Sequence, residues 1–295
     1  MRVALTGVSG FIGSAIARHL CQAGHSVTGL VRPTSRRGHV EPYTDRFVVG
    51  DHADSAIWPD LLDGVECVIH NSVNWRVLGD KPDLKEHLES NLAGSIRLLE
   101  ASGPRQFIFI SSIAAHHDIR PRWRGLVDED HPLRPASLYG AYKAAVEAHL
   151  WAAHFSQNVN ASALRPCGVY GLDPTVERSI GYPIVRAVRQ RKPFDRPGGG
   201  KFVHVDDVAA AAVAAVGNPD VAGRAFNLAD CYARWADWAA LVCRLTGIEV
   251  QIDTSSPPQP KNLFSKEAAR TLGVTLDRGH EGIREHLATL IAAMA

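Results

Sequence analysis

The chain opens with "RVALTGVSGFIG": an apolar run from Arg2 to Thr6, glycines at 7, 10 and 13, then a stretch rich in helix formers. An apolar run this short fits a strand buried on both faces. A strand that turns at once into a helix needs glycine where the backbone is strained or where two backbones meet. That junction starts a βαβ unit, and the alternation continues through the first half. "SVTGLV" (26–31), "RFVV" (46–49), "CVIH" (67–70), "QFIFI" (106–110) and "ASAL" (161–164) read as strands. Helical stretches fall between them, near 11–23, 55–62, 83–102 and 137–157. Strands alternating with helices predict a parallel sheet covered on both faces, joined by right-handed crossovers. Beyond Pro166 the pattern loosens into loop-rich stretches with helices between them.

The glycine spacing also carries chemistry. One glycine permits the tight turn, one lets a pyrophosphate approach the backbone, and one lets helix pack on strand. The helix start then offers free N–H groups and a positive dipole end to phosphates. The context is the required one, because a strand precedes and a helix follows. The expected fold class is α/β, a Rossmann-type doubly wound parallel sheet with a smaller C-terminal substrate-binding lobe. The NAD(P)-binding Rossmann domain is expected over 1–168, with 202–230 returning to it, and the lobe over 169–201 and 231–295. An acid ending the second strand would bind ribose hydroxyls and favour NAD. Here that strand ends "GLVRPTSRR", with Arg32, Arg36 and Arg37 and no acid. Guanidinium forks suit a ribose phosphate, so NADP is the expected cofactor, with NAD as the alternative.

Bulk properties exclude several classes. The 295 residues can bury a large core, and 45% hydrophobic with 21% charged residues is ordinary for a soluble globular protein. A net charge of +1 gives no reason to expect nucleic acid or an anionic membrane as partner. The longest apolar run, "VAAAAVAAV" (208–216), is far short of the about 20 residues of a membrane span. "MRVALTG" does not resemble a signal peptide. The five cysteines are scattered and never spaced CxxC, which suits free thiols in a reducing cytoplasm. The fourteen histidines include no HExxH, and no metal site is expected.

"SLYGAYKAAVE" (137–147) holds the candidate proton-transfer group. Tyr139 and Lys143 are four apart, so one helical face presents both, while Tyr142 shares that face less well and reads as packing or pocket wall. A phenol titrates near 10, and a neighbouring cation favours its ionised form. Such a phenol gives a proton to a carbonyl as hydride arrives, or takes one from an alcohol as hydride leaves. Ser111 and Ser112, just past "QFIFI", offer a hydroxyl to orient the same oxygen.

Together these stretches resemble the extended short-chain dehydrogenase/reductase family, the NAD-dependent epimerase/dehydratase family. "TGVSGFIG" is similar to its cofactor turn, "VVGDHAD" to its third-strand segment, "FISSIAA" to its serine strand and "YGAYK" to its YxxxK. "VIHNSV" stands where the family usually reads HxAA, and "SNLAGSIRLLEA" carries its helix asparagine, Asn91. "LRPCGVYG", "FVHVDDVAAA" and "GRAFNLAD" match later landmarks in order, so almost the whole chain is covered. The resemblance implies Tyr139 as acid/base, Lys143 as ribose ligand and modulator of the tyrosine, and Ser112 as carbonyl polariser. It places Gly7, Ser9, Gly10, Phe11, Ile12, Gly13, Asp51, His52, Asn71, Ser72, Val73, Pro166 and Val169 around the cofactor, to which the end of the second strand adds Arg32 and Arg36. It also implies a homodimer paired through two helices, one of them the catalytic helix.

Departures narrow the reaction. The family's 4,6-dehydratases and sugar-acid decarboxylases carry an acid just after the catalytic Ser or Thr; here Ile113 and Ala114 follow Ser112. Its nucleotide-sugar 4-epimerases usually show Asn-Pro after the sixth strand and an arginine before the "FVHV" strand. This chain has Arg165-Pro166 and "GGGKFVHV". Simple hydride transfer with NADP(H) on a secondary alcohol or ketone survives, with a sugar-like or cyclic small molecule as substrate. The runner-up is a sugar or nucleotide-sugar epimerase with tightly bound NAD(P), and a non-catalytic dinucleotide-sensing protein comes third. Trp75, Ile113, His116, Cys167 and Arg186 are the candidate substrate residues. Trp123 is expected to face the same cleft, and Trp235 and Trp238, three apart on a helix, to be core.

Overall fold

The buried apolar runs do become the strands of one sheet. The computed structural model describes residues 1–79 and 81–295. In chain order, β1 (Arg2–Thr6), α1 (Phe11–Gln22), β2 (Ser26–Val31), β3 (Arg46–Val49), α2 (Trp58–Leu62) and β4 (Cys67–His70) come first. Then follow α3 (Leu84–Glu86), α4 (Gly94–Ser102), β5 (Gln106–Ile110), β6 (Leu126–Val127), α5 (Leu138–Gln157) and β7 (Ala161–Pro166). The last part holds β8 (Gly168–Tyr170), α6 (Tyr182–Arg189), β9 (Gly199–His204), α7 (Val205–Ala215) and β10 (Arg224–Leu228). It ends with β11 (Cys231–Arg234), α8 (Trp235–Thr246), β12 (Leu263–Phe264), α9 (Glu267–Thr271) and α10 (Gly279–Ala293).

Seven strands form a parallel sheet in the order β10-β7-β5-β4-β1-β2-β3. From β1 the chain winds outward to β3, then returns to β4 on the other side. The order reverses between β1 and β4, and open α/β sheets bind ligands outside the carboxyl ends at such a point. One face is covered by a cluster that includes Ile16 and Leu20 of α1 and Val208 and Ala212 of α7. The other is covered by Leu98, Tyr142, Val146 and Leu150 of α4 and α5. A separate three-stranded sheet, β11-β9-β8, packs with α6, α8 and α10 around the fully buried Trp238. Trp235 joins that cluster, half-buried under the Arg196 guanidinium 3.9 Å from its ring. A short parallel pair, β12 with β6, ties the last quarter to the segment before α5.

One expected helix is not continuous. Between α3 and α4, residues His87–Ala93 form a π-helical stretch. Asn91 sits in it and grips the loop after β4: its Oδ1 accepts from Asn74 N at 2.7 Å and its Nδ2 donates to Asn74 O at 3.1 Å. Such bulges re-aim side chains that a regular helix would present differently.

The glycine turn is explained by contact. Gly7 has φ +68, and a Cβ on Gly13 would lie 2.1 Å from the Gly7 carbonyl oxygen. Helix α1 therefore rests directly on the turn. Gly13→Ala is expected to destabilise the protein by about 1–3 kcal/mol, read by chemical denaturation, because the backbones must separate. An unchanged denaturation midpoint contradicts that close packing.

Candidate active site

The loops at the carboxyl ends of β1, β2, β3, β4, β5 and β7 open on one cavity of ≈ 840 Å³. Its first half is built by the glycine turn. Gly7, Ser9, Gly10, Phe11 and Ile12 line it, while Gly13 lies beneath and supports the turn. No side chain caps the start of α1, which leaves its first N–H groups directed at the turn. A Cβ on Gly7 would meet Asn71 Nδ2 and Ser72 Oγ at 3.3 Å each, so the cradle takes no side chain there. Asn71, Ser72 and Val73 line the next stretch. Their backbone is pinned by Thr6 Oγ1, which accepts from Asn71 N at 2.9 Å and from Ser72 N at 3.0 Å. Asp51 and His52 follow β3 into the same space. His52 Nε2 is buried without a hydrogen-bond partner among the described residues. An orphaned buried nitrogen beside an uncapped helix and a glycine cradle fits a dinucleotide, which supplies phosphate, ribose and base groups to all three.

Of the three arginines after β2, Arg32 lines the cavity together with Ser35. Arg36 is exposed and lies outside the lining, and Arg37 is engaged with Glu41 at 3.8 Å and the Phe47 ring at 5.4 Å. The loop turns after Ser35, whose Oγ accepts from Arg32 N at 3.1 Å, and carries Arg36 away.

The second half of the cavity is built by α5. Ser137 caps the helix, its Oγ accepting from Gly140 N at 3.0 Å. A Cβ on Gly140 would lie 2.2 Å from the Ala114 carbonyl oxygen, so the helix start presses on the turn that follows Ser112. Tyr139, Lys143 and Ser112 line the cavity together, with Pro166 and Val169 from the β7–β8 connection. Lys143 is 1% exposed, and its Nζ donates to the Ile110 carbonyl at 2.7 Å. That places Nζ 5.6 Å from the Tyr139 ring and 4.4 Å from the Phe109 ring.

The electrostatics differ from the simple expectation. Burial pushes the Tyr139 phenol up to about 12, only partly opposed by the Ser112 hydroxyl. Burial pulls Lys143 down to about 7, with the Glu147 carboxylate opposing. A cation four residues away does not by itself lower this phenol. Loss of water outweighs it, and the ammonium is turned to the Ile110 carbonyl. Tyr142 is packing: it is 2% exposed, edge-on to His87 and Phe109, with its hydroxyl 3.4 Å from Ser95 Oγ.

The other candidates divide. Trp75, half open to solvent, lies over the Tyr139 ring at 4.8 Å between centroids, and Ile113, His116 and Cys167 line the cavity with it. Arg186 does not: it is exposed on α6, whose apolar face packs into the Trp238 cluster instead. Trp123 is also outside the lining. Its Nε1 donates to Asp128 at 2.6 Å and its ring packs on His131. Glu147, Asn74, Asp173 and Arg178 escaped the sequence reading. Glu147 is fully buried, accepts from Ser111 Oγ at 2.5 Å, and pairs with Arg165 at 2.6 Å. Its position four residues after Lys143 was the available signal. Asn74, Asp173 and Arg178 also line the cavity. Among the described residues no cluster of His, Cys, Asp and Glu is placed to hold a metal, and no helix is long and apolar enough to cross a membrane.

A nucleotide cradle and a Tyr–Lys–Ser set on one cavity make the comparison with known proteins direct. The NAD dependent epimerase/dehydratase family matches residues 3–229. The chain belongs to this family. It is 31% identical to a UDP-glucose 4-epimerase of Mycolicibacterium smegmatis over 77% of each chain. It is 30% identical to a 3-diazoavenalumate denitrifying reductase of Streptomyces, over 92% of this chain and 88% of the reductase. Among solved structures, the NAD complex of Thermus thermophilus UDP-glucose 4-epimerase is 25% identical. That likeness covers 99% of this chain and 100% of the epimerase, with a TM-score of 0.80. As a member of the family, the protein is an NAD(P)-dependent enzyme of the short-chain dehydrogenase/reductase type.

Burial of Lys143 has a measurable sign. The native lysine titrates at about 7 and the unfolded one at 10.5, so the unfolded chain binds more protons between them. Stability therefore rises with pH through that window. The thiols of Cys67, Cys167 and Cys231, raised above 9.0 by burial, and the Tyr139 phenol, raised above 10.0, reverse the trend at higher pH. Denaturation followed from pH 7 to about 8.5, below the range where the thiols titrate, is expected to show the rise in the wild type and its loss in Lys143→Met. Equal slopes contradict the assignment.

Proposed function

We propose that the protein is an NADP-dependent oxidoreductase that moves hydride between NADP(H) and a secondary alcohol or ketone of a sugar-like or cyclic substrate. One observation carries this reading: the glycine cradle and Tyr139, Lys143 and Ser112 line a single cavity. Bound nicotinamide would supply or take the hydride. The chain's own residues manage the proton and the oxygen. Tyr139 is a phenol at neutral pH, so it is poised to give its proton to a carbonyl oxygen. Ser112 Oγ–H donates to the same oxygen and holds it toward Tyr139. Lys143, fixed by the Ile110 carbonyl, places positive charge beside the phenolate that remains. Trp75 lies over the Tyr139 ring and keeps water from that face. The positions directly after Ser112, where an acid would serve elimination, hold Ile113 and Ala114 instead.

Arg32 supports NADP. It is the arginine of its loop that lines the cavity, at the end of a strand that offers no acid to ribose hydroxyls. Residues 169–201 and 231–295 are assigned to substrate binding, around the Trp238 core and the cavity-lining Asp173 and Arg178. Exposed Leu84, Leu88 and, on α5, Phe155 support a homodimer formed through these helices. The second reading is a sugar epimerase with tightly bound NAD(P), favoured by the likeness to UDP-glucose 4-epimerases.

Three measurements decide. Tyr139→Phe is expected to lower turnover roughly a hundredfold to ten-thousandfold while leaving cofactor binding intact. Reduced cofactor is expected to disappear in step with product; turnover without net cofactor consumption supports the epimerase instead. Arg32→Ala is expected to weaken NADP binding about tenfold or more and to leave NAD binding nearly unchanged. Equal or tighter binding of NAD by the wild type contradicts the NADP preference.

A further inference from the structure

Two buried histidines beside the cavity have their tautomers fixed by their partners. Arg120 N–H donates to His131 Nε2 at 3.0 Å, so that nitrogen carries no hydrogen. Burial lowers the titration of both rings, His116 to about 3, and both are neutral. A neutral His131 therefore bears its hydrogen on Nδ1. That atom lies 3.1 Å from His116 Nδ1 and donates to it. His116 is left with its hydrogen on Nε2.

The consequence is an unmet demand. His116 Nε2 faces Arg165 Nη1 at 3.4 Å, and a guanidinium has no acceptor to offer. The rest of Arg165 is spoken for: Nε and Nη2 donate to Glu147 at 2.6 to 3.1 Å. Two adjacent donors, His116 Nε2–H and Arg165 Nη1–H, thus lack an acceptor among the described residues. They belong to residues 8% and 3% exposed. Buried donors without a partner are costly, and native proteins rarely leave them so. His116 lines the cavity, at the end of the 3₁₀ turn that Ser112 begins. Ser112 and Tyr139 line the same cavity, and Arg165 stands behind His116, outside the lining.

We propose that His116 Nε2–H, backed by Arg165 Nη1–H, binds a second oxygen of the substrate on a carbon near the reacting one. The site selects polyoxygenated sugar-like or cyclic ketones over simple ketones. Glu147 already balances the charge of Arg165, so a neutral hydroxyl, ether or ketone oxygen suits the pair better than a carboxylate or phosphate. A site built to pair a substrate oxygen rejects the analogue lacking it, because its own donors are then left bare. This inference rests on the hydride-transfer reading for its kinetics, though not for its tautomers.

The test uses 2-hydroxycyclohexanone and cyclohexanone as probes. With NADPH, the wild type is expected to prefer the hydroxyketone in kcat/KM by about tenfold or more. His116→Phe is expected to abolish that preference mainly through the hydroxyketone, and His116→Gln, which keeps an N–H donor, to retain part of it. A preference untouched in His116→Phe, with a wild-type thermal midpoint, overturns the proposal. The second arm is nitrogen NMR of the NADP⁺-bound wild type. The His116 ring is expected to carry Nε2–H, and that signal to move saturably with 2-hydroxycyclohexanone and not with cyclohexanone. A hydrogen on His116 Nδ1, or the same response to both probes, also overturns it. If neither probe is reduced, the hydride-transfer reading fails while the NMR arm still decides this site.

Discussion

A lysine ammonium with almost no access to water must find its partners inside the protein, and Lys143 finds the Ile110 carbonyl. That bond joins α5 to the end of β5. It fixes the helix so that Tyr139 opens on the cavity while Tyr142 is sealed in the core. The burial that makes the bond necessary also lowers the lysine and raises the tyrosine. The same desolvation therefore positions the pair and keeps the phenol protonated until further positive charge arrives.

The surroundings follow from that placement. Helix α5 comes close enough to the Ser112 turn that Gly140 admits no side chain. One turn beyond Lys143, Glu147 takes the Ser111 hydroxyl and Arg165, and Arg165 reaches His116 at the cavity wall. A continuous set of polar contacts thus runs beneath the Ser112 turn. Across the sheet's switch point, the glycine turn is held by an equally tight contact, Gly13 on the Gly7 carbonyl. Two close backbone approaches, one at each side, define the cavity between them.

Much of this was legible in residue order. The strands 2–6, 26–31, 46–49, 67–70 and 106–110 were readable because both faces of a parallel sheet are apolar, and they stand where expected. The Rossmann-type sheet and the family followed from the glycine spacing, YxxxK and the later landmarks. What was not legible depends on where chains pass in space. Arg32 and Arg36 look alike in "VRPTSRR", but only the first lies at the cavity. Trp75 follows β4 and Trp123 lies in the segment before α5, and only Trp75 packs on the Tyr139 ring. The π-helical turn at His87–Ala93 leaves no mark in helix propensity, since it serves a contact with Asn74. The Glu147–Arg165 pair joins residues far apart in sequence, and the tyrosine's raised titration depends on burial that no spacing rule reports.

The central claim is that one cavity brings a nicotinamide dinucleotide to Tyr139 and Lys143. It is tested most directly by ultraviolet difference titration of the wild type against Tyr139→Phe, with and without NADP⁺. Free protein is expected to titrate Tyr139 at about 12, and the NADP⁺ complex well below that, because positive charge is added to a site of low dielectric. A Tyr139 titration that NADP⁺ leaves unmoved contradicts the account.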